Sequence, residues 1–242
     1  MTDAQSPPGA SAGEIRTPHR YYGRKKGFVK PWEESWSAQR LETWAPPRGC
    51  GGRDDFMAAL GAVDSGARLV VEVGSGNGDF LATSAAAHPE DRFVAIELFL
   101  EGISALLKKV ERLGLTNVRV VREHAHPALE CYLPDGAVDR LLVLFPDPWR
   151  KTRHHKRRLI QQEFLQLVWR KLAPGGELHL ATDWGPYAQW MLEHVEAQGG
   201  FINLAGAGQP ASEPSWWVPT RFQQKGLAAG RPTVHFAFRR GG

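Results

Sequence analysis

The chain reads as an α/β domain built on a doubly wound, mostly parallel sheet with helices on both faces. Three observations predict it. Short branched apolar runs alternate with amphipathic stretches from Leu69 to Ala197, the pattern of repeated strand–helix units. Two of these runs, LVVEV at 69–73 and VDRLLVLF at 138–145, have the length and branched content of inner strands of a parallel sheet. The first of them leads into glycines at 74, 76 and 78 ahead of a helical stretch, a turn that lets backbone approach a ligand at a helix N-terminus.

The elements follow in order. Residues 1–18 are polar and rich in Pro, Ser, Ala and Gly, which reads as a disordered tail. Residues 19–53 form a basic, aromatic arm without clear periodicity, in which Tyr21, Tyr22, Trp32 and Trp36 interleave with Arg20, Arg24, Lys25, Lys26 and Lys30. Such a mixture stacks on bases and meets phosphates, or packs its rings back on the domain. The domain proper, 54–242, opens with a helix through Leu60. Strands are expected at Leu69–Val73, Arg92–Ile96, Asn117–Arg122, Val138–Phe145 and Glu177–Thr182, the last after the turn Pro174-Gly175-Gly176. Helices are expected at Asp79–His88, Leu100–Leu113, Leu159–Leu172 and Tyr187–Ala197. Two short strands, Phe201–Leu204 and Thr233–Phe238, are expected to close one edge as an antiparallel pair.

Composition narrows the function classes. No run approaches the ~18 apolar residues of a membrane span, and the N-terminus carries no apolar signal core, so a cytoplasmic protein is expected. Cys50 and Cys131 are isolated, with no metal-ligand or redox spacing, and are expected to be plain thiols with no metal. Of the 30 Lys and Arg residues, six fall in Arg16–Lys30 and six in Arg150–Arg158, leaving 18 against all 26 acids, a body of charge −8. A mildly acidic body with two acid-free basic patches points to a nucleic-acid partner.

The chemistry concentrates at two places. After the 138–145 strand comes Pro146-Asp147-Pro148-Trp149 and then the basic run to Arg158. The prolines are expected to keep Phe145 and Asp147 extended, with the Asp147 carboxylate in the crevice at the strand's carboxyl end. An acid, a flat ring and a phosphate-binding run suggest a base presented on a polyanion. At the first strand, Glu72 lies two residues before Gly74, and Asp79 stands where a dinucleotide fingerprint needs glycine. An acid there repels a pyrophosphate and welcomes an ammonium. Glu97, at the second strand's end, is placed to accept ribose hydroxyls. Together they favour S-adenosylmethionine over a nicotinamide cofactor.

These stretches, with YYGRKKG, VEVGSGNG, AIE, FPDPWRKTRHHKRR, ATDWGPYA and PTRFQQKGLAAG spread from about His19 to Arg240, resemble the bacterial tRNA (guanine-N7)-methyltransferases. The resemblance implies a Rossmann-like class I methyltransferase fold with seven strands, S-adenosylmethionine as donor and a guanine in the variable loop of tRNA as target. It puts Glu72, Gly74, Gly76, Gly78, Glu97, His124 and Asp147 at the donor, with Asp147 also catalytic. It puts Lys151, Asp183, Thr220, Arg221, Phe222 and Gln223 at the substrate, and Arg153, His154, His155, Lys156, Arg157 and Arg158 on RNA phosphates, in an extended, flexible loop.

The chain departs from the family pattern twice. His124 stands where the family has an Asp for the adenine amino group, and nearby Glu72, Glu97 or Glu123 are expected to favour its charged form. Gln223 stands where the family has a Glu, and its carbonyl is expected to keep a weaker contact with the guanine edge. Two other readings stay open from sequence: methylation of an exocyclic amine, and an inactive RNA-binding protein of the same fold. Oligomeric state is not legible.

Overall fold

The computed structural model describes residues 30–45, 53–61 and 66–242. Seven strands form one sheet in the order β3-β2-β1-β4-β5-β7-β6: β1 (Leu69–Val73), β2 (Arg92–Ile96), β3 (Val118–Val121), β4 (Val138–Leu144), β5 (Leu172–Thr182), β6 (Phe201–Asn203) and β7 (Val234–Arg240). The first five run parallel. β7 is antiparallel to β5 and pairs in turn with the edge strand β6. The chain leaves β1 toward β2 and β3 and returns to its other side as β4, so a topological switch point lies between β1 and β4, where such sheets bind ligands.

The helices are α1 (Pro31–Trp44), α2 (Arg53–Leu60), α3 (Asp79–Ala87), α4 (Leu100–Leu113), α5 (Ala125–Tyr132), α6 (Gln162–Lys171), α7 (Gly185–Gln198) and α8 (Arg221–Ala228). One core packs α2, α5, α6 and α7 against one face of the sheet. The other packs α3 and α4 against the opposite face. On α4, Leu100, Ile103, Leu106, Leu107 and Val110 are all buried, a single apolar face at helical spacing. The helix stops where Gly114 takes φ +63°, with Gly114 N–H bonded to Glu111 O and Leu115 N–H to Val110 O, the paired bonds of a glycine-terminated helix. Over β4, β5 and β7 on this second face no helix lies among the described residues; the segment carrying Trp216 and Trp217 covers it.

Two expectations are corrected. Residues 31–44, expected to lack periodicity, form α1, which lies on α4. Its inward face is Glu33, Trp36, Ser37, Arg40, Leu41 and Trp44, so three of six inward positions are polar and the apolar period is weak. Ser37 hydroxyl meets that of Ser104, Arg40 pairs with Glu111 at 2.9 Å, and Glu33 pairs with Lys108. Its Trp36 ring lies under the Arg40 guanidinium at 4.7 Å, the second of the two outcomes weighed for the arm's aromatics. Tyr21, Tyr22 and the cations up to Lys26 lie outside the described residues. Cys131, expected as a plain thiol, is disulfide-bonded, because spacing in sequence carries no signal of a distant partner; Cys50 lies outside the described residues. Among the described residues no helix is long and apolar enough to cross a membrane.

Candidate active site

The site is built at the carboxyl ends of β1, β2, β4 and β5. Glu72 is the last residue but one of the fully buried β1 and is 3% exposed, and its Oε2 has no hydrogen-bond partner. Burial, the Glu97 charge and the Asp79 charge push its carboxyl up to about 8. The protein therefore holds a buried acid that needs a cation or a proton. Next to it the glycine loop runs through left-handed backbone at Gly74, Gly76 and Gly78. Its position is set from behind: a Cβ on Gly102 of α4 would lie 2.5 Å from Gly76 O.

Glu97 is held by three backbone N–H groups, from Gly76 to Oε2 at 2.9 Å and from Leu98 and Phe99 to Oε1 at 2.7 and 2.8 Å. These bonds aim the carboxylate and leave a lone pair for a hydroxyl donor. Asp79, at the first position of α3, pairs with Lys109 at 2.6 Å and accepts from Asn77 Nδ2 at 2.8 Å. Those partners and Arg221 outweigh burial and hold its carboxyl below the usual range. His124 caps α5 and is half-buried. The acids do not win there: burial outweighs Glu123 and lowers its pKa, so the ring stays neutral, and able to accept, to lower pH than a free imidazole.

Asp147 sits between two strained residues. Phe145 and Trp149, neither of them glycine, take φ 52° and 41°, a left-handed backbone that costs roughly 1–2 kcal/mol at each. Phe145 is thus not extended, and β4 ends at Leu144. Proline at 146 disfavours helix before it but leaves the left-handed region open. Asp147 is half-buried and close enough to Tyr187 that its charge adds to burial in pushing that phenol up. The Phe145 ring stacks on Phe222 of α8 at 6.4 Å. Phe222 is 54% exposed and reaches to within 3.9 Å of a Cβ built on Gly76, so α8 overhangs both the glycine loop and the Asp147 segment.

The basic run is a 3-10 helix, Thr152–Arg157, rather than an extended loop. Lys151, Arg153 and Lys156 are exposed, while His154, His155 and Arg157 are partly covered. Arg157 lies over the Trp149 ring at 5.0 Å and Arg150 over Trp184 at 4.0 Å. Arg158 corrects the expectation of a phosphate-facing residue: it is 3% exposed and bonded inward. Continuous charge in sequence cannot show that the last member of a run turns under it.

Gln223 is the second corrected residue. It is 6% exposed, its Oε1 accepts from Trp217 Nε1 and its Nε2 donates to Glu213 Oε2, both at 2.7 Å. The amide is a structural bridge and its carbonyl is not presented to a base. Thr220 caps α8, its Oγ1 accepting from Gln223 N–H at 3.1 Å, and its hydroxyl hydrogen remains to donate. Asp183, after β5, gives Oδ2 to Arg231 Nε at 2.8 Å. Arg231, Glu213 and Trp217 were not singled out from sequence, and no motif there signals them.

Two features lie elsewhere. A cavity of about 190 Å³ between Phe80, Arg140, Trp216 and Trp217 borders the amino ends of the strands and shares no residue with this set. His88, Glu90 and Asp91 lie close enough together to ligate a metal, but Arg68 already bonds both Asp91 oxygens.

The strand order and the acids at its switch point put the chain among the class I, Rossmann-like methyltransferases. A family model described as a putative methyltransferase matches residues 66–236. The fold is shared with the solved aminoglycoside resistance methyltransferase NpmB1, at TM-score 0.52 and 16% identity over 78% of this chain and 93% of that one. It is shared too with a 16S rRNA (adenine(1408)-N(1))-methyltransferase mutant from Catenulisporales acidiphilia, at 0.51 and 16% over 78% and 91%. The tRNA (guanine-N(7)-)-methyltransferase of Magnetococcus marinus is 42% identical over 90% of this chain and 87% of its own. That of Hydrogenovibrio crunogenus is 36% identical over 99% and 100%. The chain belongs to the tRNA (guanine-N7)-methyltransferase family.

Proposed function

We propose that the protein transfers a methyl group from S-adenosylmethionine to N7 of a guanine in the variable loop of tRNA, in the cytoplasm. The observation that carries this reading is the place of Glu72, Glu97 and Asp147 at the carboxyl ends of β1, β2 and β4, beside the β1/β4 switch point, with Glu97 bonded to the glycine loop. The residues fit the donor: a buried carboxyl with an orphaned oxygen suits its ammonium, and the aimed Glu97 carboxylate suits its ribose hydroxyls. When bound, the donor supplies a methyl group activated by sulfonium charge.

What the protein must then do is modest in chemistry and demanding in placement. Guanine N7 has an in-plane lone pair and no proton, so its attack on the methyl carbon needs no general base. Alignment alone can lower such a barrier by about 7–11 kcal/mol. The N–C bond forms as the C–S bond breaks, and the positive charge passes to the purine. Asp147 stabilises that charge from the strained segment after β4. Asp183 acts from the end of β5 with the oxygen that Arg231 does not hold. Arg153 and Lys156 on the exposed face of the 3-10 helix bind phosphates, with His154 beside them, fixing register without reading sequence, and Lys151 at the helix N-cap meets the substrate.

The test is methyl transfer from labelled donor into unmodified tRNA, with the variable-loop guanine present or replaced. Label should enter only the first, and borohydride and aniline should then cleave the strand at that guanine. Incorporation that survives the replacement, or a labelled product that resists cleavage, would overturn the assignment.

A further inference from the structure

Arg158 ends the basic run by turning away from solvent. Its guanidinium lies between the rings of Tyr187 and Trp190 on α7, at 4.9 and 4.8 Å. Nε donates to Pro148 O at 3.0 Å, and NH2 lies 3.0 Å from His155 Nε2. Among the described residues its partners are the Pro148 carbonyl, His155 and the two rings. A buried cation compensated by a carbonyl, an imidazole and two ring faces is an expensive way to hold a loop. Apolar packing would be the cheaper staple, so the geometry of the fork is the reason to look for a role.

That geometry acts on the segment carrying Asp147. Left-handed aromatic residues bound it at both ends, Phe145 and Trp149, and such backbone persists only where its surroundings over-determine it. Upstream, Phe145 N–H is bonded to Ala181 O of β5 at 2.8 Å. Downstream, the Pro148 carbonyl is bonded to Arg158. The same guanidinium reaches His155 within the 3-10 helix, whose Arg153 and Lys156 face solvent. Arg158 therefore joins the outer basic helix to the backbone one residue past Asp147.

We propose that Arg158 is a positioning residue for the methyl transfer: through Pro148 it fixes the Asp147 carboxylate, and through His155 it makes that placement one rigid unit with the RNA-facing helix. The proposal rests on the function assigned above. Arg158 neither touches the donor nor neutralises an RNA phosphate.

The experiment compares Arg158→Met, which keeps packing against α7, with Arg158→Lys, which keeps the charge without the fork. Single-turnover rate at saturating tRNA and donor, donor affinity by calorimetry, tRNA affinity against salt and thermal unfolding are measured for each. Both variants should lose about 30-fold or more in the saturated rate, with donor affinity within twofold and the salt slope unchanged. Guanidinium ion should restore part of the rate to Arg158→Ala, and methylammonium should not. A salt slope lower by roughly 0.7–0.9 with an unchanged saturated rate would make Arg158 a phosphate contact. Full activity in Arg158→Lys, or a rate loss that tracks the unfolded fraction, would leave it a charge or a staple. A wild-type protein that fails to methylate tRNA sinks the assigned function instead.

Discussion

Arg231 Nε donates to Asp183 Oδ2 at 2.8 Å, and the backbone N–H of the same Arg231 bonds Gly226 O at 2.9 Å. One residue thus ties the end of β5 to the end of α8. Gly226 is pressed into this junction, since a Cβ there would come within 3.0 Å of Asp183 Oδ2. Asp183 is held by one oxygen and offers the other. Replacing Arg231 by Met should free the carboxylate to rotate and slow single turnover by about tenfold, or ~1.4 kcal/mol of barrier, with donor affinity unchanged. A rate within twofold of wild type would show that Arg231 serves α8 alone.

Gln223 bridges Trp217 and Glu213, so returning it to the family's Glu should harm this chain. Gln223→Glu replaces the N–H that Glu213 Oε2 receives with a second carboxylate at contact distance. The expected loss is about 1–3 kcal/mol of unfolding free energy near neutral pH, relieved on acidification as one acid takes up a proton. Glu213→Gln in the same chain should recover most of it. Urea unfolding of the two single variants and the double variant gives the coupling, and additive effects would contradict the bridge.

Glu72 makes stability depend on pH in a predictable direction. Its carboxyl is pushed up from 4.5 to about 8 in the folded protein, so between those values the folded state keeps a proton that the unfolded chain has released. Stability without the donor must then fall as pH rises from about 4.5 to 8. Glu72→Gln removes the burden, and at pH 9 the variant should be more stable than wild type by on the order of 3–5 kcal/mol, at roughly 1.4 kcal/mol per pH unit. At pH 4 the two should coincide. Chemical unfolding at pH 4, 7 and 9 tests this, and parallel curves would show that the carboxyl is not buried as described.

Gly102 and Gly114 separate two effects of glycine. Gly102→Ala drives a Cβ into the Gly76 carbonyl, so it should displace the glycine loop and weaken donor binding tenfold or more. Gly114→Ala meets nothing within 4 Å but sits at φ +63°, so it should cost about 1 kcal/mol of stability and leave donor affinity alone. Calorimetry on both variants distinguishes the outcomes; equal donor affinities would show that the loop yields.

The legible parts of the chain were those where burial writes itself into periodicity. All five parallel strands lie within a few residues of their expected bounds, apart from β5, which begins at Leu172, and the β6–β7 pair closes the edge. β7, however, enters between β5 and β6, an order that two short strands and a Gly/Pro-rich connection leave open. α8 left no trace in the pattern because its large apolar residues, Phe222 and Leu227, are 54% and 55% exposed: it faces the site rather than a core. α5 is eight residues with Pro127 in its first turn. In the site, Glu72, Glu97 and Asp147 were legible as acids at strand ends. The inward turn of Arg158 and the engagement of Gln223 were not, because the first depends on Tyr187 and Trp190, about thirty residues on, and the second on Glu213 and Trp217 in an irregular stretch without periodicity.

The switch between β1 and β4 has a consequence for how this architecture diversifies. Of the residues proposed for the donor side, Glu72, the glycine loop, Glu97 and His124 are encoded before residue 125, and the proposed acceptor side, from Asp147 to α8, after 146, with Asp147 serving both. The two halves meet along the ladder Val70–Val73 against Arg140–Val143 and through the packing of α5 on α6 in a shared core. A single genetic crossover in the connection between α5 and β4 would exchange the acceptor half whole, grafting another target selectivity onto an inherited donor half. The side chains to be reconciled at that seam include those of α5 against α6, Phe222 over Gly76, and Trp216 and Trp217 against Phe80.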